Sequence, residues 1–228
     1  SPVFLTGQLP AALLNKRAMK IVVISDTHGQ HARLQLPPGD MLIHAGDLTP
    51  MGDRTDVLRF LNWFQRQPFQ HKIFIAGNHD FFFEREDPAE VEKIIPAGIT
   101  YLNDSGTVVD GIHIWGSPIT PWYQHWAFNR HPGAQINRHW QLIPADTDIL
   151  VTHGPVYGIL DANAEGLHIG CKDLLVKVKE LQPAYHLFGH IHEGYGSSIR
   201  HNVHFMNASV LNEQYKLTNQ PLQFEFSK

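Results

Sequence analysis

Apolar residues along this chain fall into short continuous runs separated by polar, turn-rich stretches. Residues 20–25, 41–44, 72–76, 148–151 and 184–188 are such runs, rich in Val, Ile, Leu and Phe. A continuous run of this length marks a strand buried on both faces, as in a parallel sheet covered by helices. Residues 54–67 carry Val57, Leu58, Leu61 and Phe64 at helical spacing, and residues 171–181 carry Leu174, Leu175 and Val178. A further helix is predicted near 88–95. Pro68 closes the first helix, because the residue before a proline is pushed out of the helical region. The strand–helix–strand order predicts an α/β chain with a largely parallel sheet.

Other stretches change the pattern. Residues 99–118 have turn signals at Asn103-Asp104-Ser105-Gly106 and Asp110-Gly111, which predicts antiparallel hairpins. Residues 198–206 and 221–226 are strand-like and predict completion of a second sheet. Phe81, Phe82 and Phe83 read as core or pocket wall. Residues 119–135, rich in Pro, Trp, His and Gly, predict an ordered loop. Its Trp122, Tyr123, Trp126 and Phe128 could stack on a substrate ring. Packing against the body is the favoured reading, because long ordered loops need apolar anchors. Residues 1–18 are poorly patterned and read as an N-terminal arm or remnant, with Met19 a candidate start. No charged segment precedes a continuous apolar one there, which argues against a signal peptide. Residues 19–228 show no repeat or linker and are read as one domain.

Composition narrows the classes. At 228 residues, 43% hydrophobic and 18% charged, the chain has an ordinary globular make-up. A net charge of −4 gives no basic footprint for nucleic acid. No apolar run approaches the roughly 20 residues that cross a bilayer. The single cysteine, Cys171, excludes an intramolecular disulfide framework and points to a reducing, cytoplasmic compartment. The unusual number is 16 histidines against 18 Lys plus Arg.

Several of those histidines sit at strand ends together with carboxylates. The predicted strands run into Asp26-Thr27-His28, Ala45-Gly46-Asp47, Gly77-Asn78-His79-Asp80, Thr152-His153-Gly154 and Gly189-His190-Ile191-His192. Ligands of open α/β sheets bind outside the carboxyl ends of strands, so Asp26, His28, Asp47, Asn78, His153, His190 and His192 are expected to converge. Each has a bland alternative: Asp26 could cap a turn, His28 could lie on the surface, and Asp47 could be a loop residue. Five such clusters at the same end of successive strands outweigh that alternative. Carboxylate, amide and imidazole donors together suit Mn, Fe, Zn, Co or Ni better than calcium or structural zinc. Seven donors exceed the need of one tetrahedral ion and match two ions sharing a carboxylate. His44 and His186, inside strands, read as hydrogen-bonded core residues. His31, His71, His113, His125, His131, His139, His168, His201 and His204 lack the strand-end context and read as surface or packing positions.

In order and spacing these five motifs resemble the calcineurin-like metallophosphoesterase superfamily, over about residues 20–210. His153-Gly154-Pro155, Gly158 to Asp161, Gly170-Cys171 and Gly189 to Gly196 resemble its metallophosphoesterase-domain-containing branch, implicated as metal-dependent phosphodiesterases. The resemblance implies a four-layer αββα sandwich of two mixed β-sheets flanked by helices. It implies two divalent ions, Mn first among the candidates. Asp26, His28 and His192 would hold one; Asn78, His153 and His190 the other; Asp47 would bridge. Such a pair lowers the pKa of a shared water toward neutrality. His79, next to Asn78 but assigned to neither ion, is the expected general acid. The related Ser/Thr phosphatases carry a second Asp supporting that histidine, and this chain has Pro50 in its place, which weakens a phosphoprotein-phosphatase reading. The orienting partner of His79 stays open: Asp80 is adjacent, but adjacency alone does not show contact. The expected activity is hydrolysis of small phosphate diesters, with cyclic nucleotides suggested by the branch resemblance alone. The alternatives are a phosphomonoesterase or nuclease on the same centre, or a non-catalytic scaffold. A scaffold would show a degenerate ligand set, and none of the seven positions is degenerate.

Overall fold

A computed structural model describes residues 17–228. The arm expected over residues 1–18 therefore lies, apart from Arg17 and Ala18, outside the described residues. The first sheet begins with β1 (Met19–Ile24), β2 (Met41–Ala45) and β3 (His71–Ile75), all parallel, with α1 (Arg54–Gln65) joining β2 to β3. Two short helices, α2 (Phe81–Arg85) and α3 (Pro88–Ile94), lead to β4 (Ile99–Tyr101), parallel to β3 at the edge.

The chain then changes sheets. Strands β5 (Ser105–Val109) and β6 (Ile112–Ser117) form an antiparallel hairpin that turns at Asp110-Gly111, both at positive φ. The two-residue strands β7 (Thr120–Pro121) and β8 (Asn129–Arg130) tie the ends of the next loop together, and α4 (Ala134–Trp140) follows. Then come β9 (Ile149–Thr152), α5 (Lys172–Leu181), β10 (Tyr185–Phe188), β11 (Gly196–Arg200) and β12 (Val203–Asn207). The second sheet has the order β11-β12-β10-β9-β6-β5. Finally β13 (Leu222–Phe226) returns to the first sheet, antiparallel to β1.

Side-chain parity explains why the central strands read as unbroken apolar runs. Successive residues of a strand point to opposite faces. Ile21, Val23, Ile43, Ile73 and Ile75 of the first sheet share one buried cluster with Ile114, Ile149, Val151 and Leu187 of the second. Their neighbours Val22, Ile24, Leu42 and Phe74 belong instead to a cluster that includes Phe60, Leu61 and Phe64 of α1. In the second sheet Leu150, Phe188 and Phe205 share that cluster with Ile136, Trp140, Leu174 and Val178 of α4 and α5. The result is a helix–sheet–sheet–helix sandwich of two mixed sheets, as expected.

Three local expectations are corrected. Residues 103–106 do not turn a hairpin: β4 belongs to the first sheet and β5 to the second, so this segment crosses between layers. Residues 221–226 pair with β1 and not with the second sheet. Residues 198–206 do complete the second sheet, but as two strands split by His201 and Asn202, both at positive φ. Helix α4 was not expected. It carries only Ile136 and Trp140 on its buried face, and the preceding Pro132-Gly133 reads as loop.

Candidate metal centre

Five loops leave the carboxyl ends of β1, β2, β3, β9 and β10. Their backbones are laced together: Asp26 N–H donates to Gly46 C=O (2.9 Å), His28 N–H to Asp47 C=O (3.0 Å) and Gly189 N–H to His153 C=O (2.9 Å). Three groups of potential ligand atoms result, each spanning no more than 4.8 Å: Asp26, His28 and His192; His28, Asp47 and His79; Asp47, His153 and His190. Asn78 joins the last group, with Oδ1 2.9 Å from His153 Nε2. All seven expected ligands and His79 thus lie in one cluster.

The backbone is strained where it carries them. Asp26, His28, Asp47 and His190 have φ of 56°, 39°, 55° and 71°. This left-handed region costs a residue with a Cβ on the order of 1 kcal/mol or more. Glycine permits the close approach: a Cβ on Gly77 would overlap Asp47, and one on Gly189 would overlap Asp26 Oδ2 and Ser25.

Each carboxylate spends one oxygen on the protein and leaves the other. Asp26 Oδ2 accepts from His190 N–H and Ser209 O–H, both at 2.9 Å. Asp26 Oδ1 and His28 Nε2 are buried with no hydrogen-bond partner among the described residues. Asp47 Oδ1 accepts from His79 N–H (2.8 Å), while Oδ2 stands 3.5 Å from His28 Nε2 and 3.3 Å from His153 Nε2.

Two imidazoles are held from behind by carbonyls. His153 Nδ1 is 2.9 Å from Ala45 C=O, and His192 Nδ1 is 2.9 Å from Asn212 C=O. With the proton on Nδ1, each ring turns an Nε2 lone pair inward. That lone pair meets oxygens: Asn78 Oδ1 and Asp47 Oδ2 for His153, and Asp26 Oδ1 (3.4 Å) for His192. Such an encounter is repulsive unless a cation or a proton lies between. Burial pushes both imidazoles down, but Asp47 beside His153 and Asp26 beside His192 outweigh it and raise each to about 9. Burial pushes His28 and His190 down to about 4, so both imidazoles are neutral at pH 7. Burial also acts to raise Asp26 and Asp47, yet the surrounding imidazoles hold both well below the usual carboxylate range. Unpartnered buried donors of mixed oxygen and nitrogen character fit divalent metal binding.

His79 has a support that the sequence did not reveal. Its Nδ1 lies 2.7 Å from the carbonyl of Pro50, the residue standing where related phosphatases carry an Asp. Its ring meets His28 edge-on at 4.6 Å. Asp80 is turned elsewhere, accepting from Gly77 N–H (2.8 Å), Leu48 N–H (3.0 Å), Thr49 N–H (3.0 Å) and Thr49 O–H (2.7 Å). Burial and nearby Asp47 still push it up to about 6. Asp80 therefore braces the β2 loop against the β3 loop. Asn212 and Ser209 also escaped sequence reading: one acts through a backbone carbonyl and the other is a lone hydroxyl.

The calcineurin-like phosphoesterase family model matches residues 19–194. The chain belongs to that family. Among curated relatives, metallophosphoesterase domain-containing protein 1 of Homo sapiens is 39% identical over 226 residues, covering 89% of this chain and 69% of the relative. The Mus musculus protein of the same name aligns to the same extent. Among solved structures, TT1561 of Thermus thermophilus superposes with a TM-score of 0.59 at 16% identity, covering 91% of this chain and 99% of that one, a likeness of fold alone. The family is one of metal-dependent hydrolases, in keeping with the buried Asp and His groups. Among the described residues no helix is long and apolar enough to cross a membrane.

Proposed function

We propose that this protein is a dinuclear-metal-dependent phosphodiesterase acting on small phosphate diesters. Asp26, His28 and His192 would hold one divalent cation, Asn78, His153 and His190 the other, with Asp47 shared. The observation that carries this reading is Asp47 Oδ2, placed 3.5 Å and 3.3 Å from one imidazole of each group. When bound, two such cations activate water at neutral pH and neutralise phosphate oxygens.

The chain's own groups do the rest. Asp26 and Asp47 stay ionised and supply the charge that a cation pair requires. The Ala45 and Asn212 carbonyls fix the tautomer and plane of His153 and His192. His79, with its Nδ1 edge held by Pro50 C=O, turns Nε2 toward the centre, from which an Nε2–H would be handed to the departing ester oxygen. Cyclic nucleotides are the first diesters to try, on the resemblance to the metallophosphoesterase-domain-containing branch.

Elemental analysis after metal loading should find close to two ions per chain. Bis-p-nitrophenyl phosphate should be hydrolysed faster than p-nitrophenyl phosphate with added Mn²⁺, alongside a cyclic-nucleotide panel. Reproducible absence of bound metal with every cation tried would overturn the metallohydrolase reading. A clear preference for the monoester would overturn the diester assignment.

A further inference from the structure

The loop 119–135 reaches into the proposed centre. It is anchored by buried Ala127 and Phe128, with Ala127 N–H donating to Asn78 C=O (3.1 Å) and Phe128 N–H to Glu84 Oε1 (2.9 Å). Between that anchor and the exposed Trp122 and Tyr123 stands Trp126. Its indole stacks on the His79 imidazole, with centroids 4.2 Å apart and planes 27° from parallel. The indole also lies against Phe81 at 5.9 Å and 31°, and the Arg85 guanidinium sits over the Phe81 ring at 4.1 Å. Arg85, Phe81, Trp126 and His79 form a continuous series of ring contacts that ends on the proposed acid.

The physical need for this stack follows from the bond to Pro50. One hydrogen bond at Nδ1 fixes a single point on the ring edge, and the terminal torsion that sets the plane of an imidazole is soft. A face contact removes that freedom, because it fixes the ring plane. Two constraints of different kind then define where Nε2 points.

We propose that Trp126 is a positioning residue whose indole fixes the plane of His79, making the loop 119–135 and Phe81 part of the proton-transfer apparatus. The inference rests on the general-acid reading of His79 given above.

The test uses the Mn²⁺-loaded protein and a series of methyl aryl phosphodiesters with leaving groups from p-nitrophenol to unsubstituted phenol. A p-nitrophenolate departs with little help near neutral pH, whereas a more basic leaving group must be protonated as its P–O bond breaks. His79→Ala should lose roughly 10²–10⁴-fold at the basic end and much less at the nitrophenyl end. Trp126→Ala, and Trp126→Leu as a volume-retaining version, should lose about 10²-fold in kcat at the basic end and less at the other, the cost of a misplaced reacting group. Trp126→Phe should recover most of the loss. In a His79→Ala background, Trp126→Leu should cost nothing further, since the ring it positions is gone. Equal losses along the whole series, or additive losses in the double variant, would overturn the proposal and leave Trp126 a loop anchor. No leaving-group dependence in His79→Ala itself would overturn the general-acid reading, a separable result.

Discussion

At the residue scale, the proposed division of labour makes unequal demands on the ligands. Asp47 offers its two oxygens in different directions, one to the His79 backbone and one into the space between His28 and His153. His190 belongs to only one donor group. Asp47→Asn removes the negative charge that offsets repulsion between two cations, whereas His190→Ala removes one donor from one of them. Loss of an outer-shell partner alone weakens metal binding by roughly 10–100-fold. Asp47→Asn should therefore weaken binding of both ions by at least about 10²-fold, and His190→Ala should affect one. Titration of each metal-free variant with Mn²⁺ measures this, and wild-type affinity in Asp47→Asn would show that Asp47 is not shared. The candidate donors that the structure gathers were legible in the sequence because their chemistry resides in side chains. The groups that aim them were not. Pro50, Ala45 and Asn212 act through carbonyls, and every residue has one.

At the element scale, what could be read depended on which face of an element is buried. Strands β1, β2, β3, β9 and β10 are covered on both sides, so their apolar runs are unbroken and their ends mark the loops. Edge strands carry less information. Residues 222–226 alternate half-buried Leu222, Phe224 and Phe226 with exposed Gln223 and Glu225, a pattern that fits the margin of either sheet. Nothing in it favours β1 as partner. The strand–loop junctions depend on missing side chains as much as on present ones. In Gly189→Ala the new methyl would be driven into Asp26 Oδ2 and Ser25, and overpacking of this kind costs about 1–3 kcal/mol. Gly166 is a control in the same half of the chain: its φ is +77° and a Cβ there would meet nothing within 4 Å. Gly166→Ala should cost about 1 kcal/mol of backbone strain and leave metal content intact. Gly189→Ala should lower both the unfolding midpoint and the Mn²⁺ affinity, because Asp26 must shift. Undisturbed metal binding in Gly189→Ala would argue against Asp26 as a ligand.

At the scale of the whole molecule, the two sheets repeat one arrangement. In each, a fully buried histidine on a central strand reaches a threonine at the end of the parallel neighbour. His44 Nε2 is 2.9 Å from Thr27 Oγ1, and His186 Nε2 is 2.7 Å from Thr152 Oγ1. The expectation that both are hydrogen-bonded core residues holds. Thr152 O–H donates to Gly154 C=O (2.7 Å), so it must accept from His186, which places the imidazole proton on Nε2. His186 Nδ1 is then buried without a partner among the described residues, and His44 Nδ1 accepts from Gly46 N–H (3.3 Å). Neither second nitrogen can take a proton without loss, and burial pushes both histidines down to about 3. In the unfolded chain they titrate near 6.5. The unfolded state therefore binds more protons between those values, and stability present above about pH 6.5 is lost as pH falls toward 3. Each histidine contributes a slope of up to about 1.4 kcal/mol per pH unit in that window. Urea unfolding of the metal-free protein at pH 7.5 and 5.5, for wild type and His186→Gln, isolates the effect, because all other titrating groups cancel in the comparison. The variant can still donate an amide N–H to Thr152, so it should lose less stability on acidification, by about 1 kcal/mol over this interval. An identical loss in the two proteins would mean that His186 does not stay neutral in the fold.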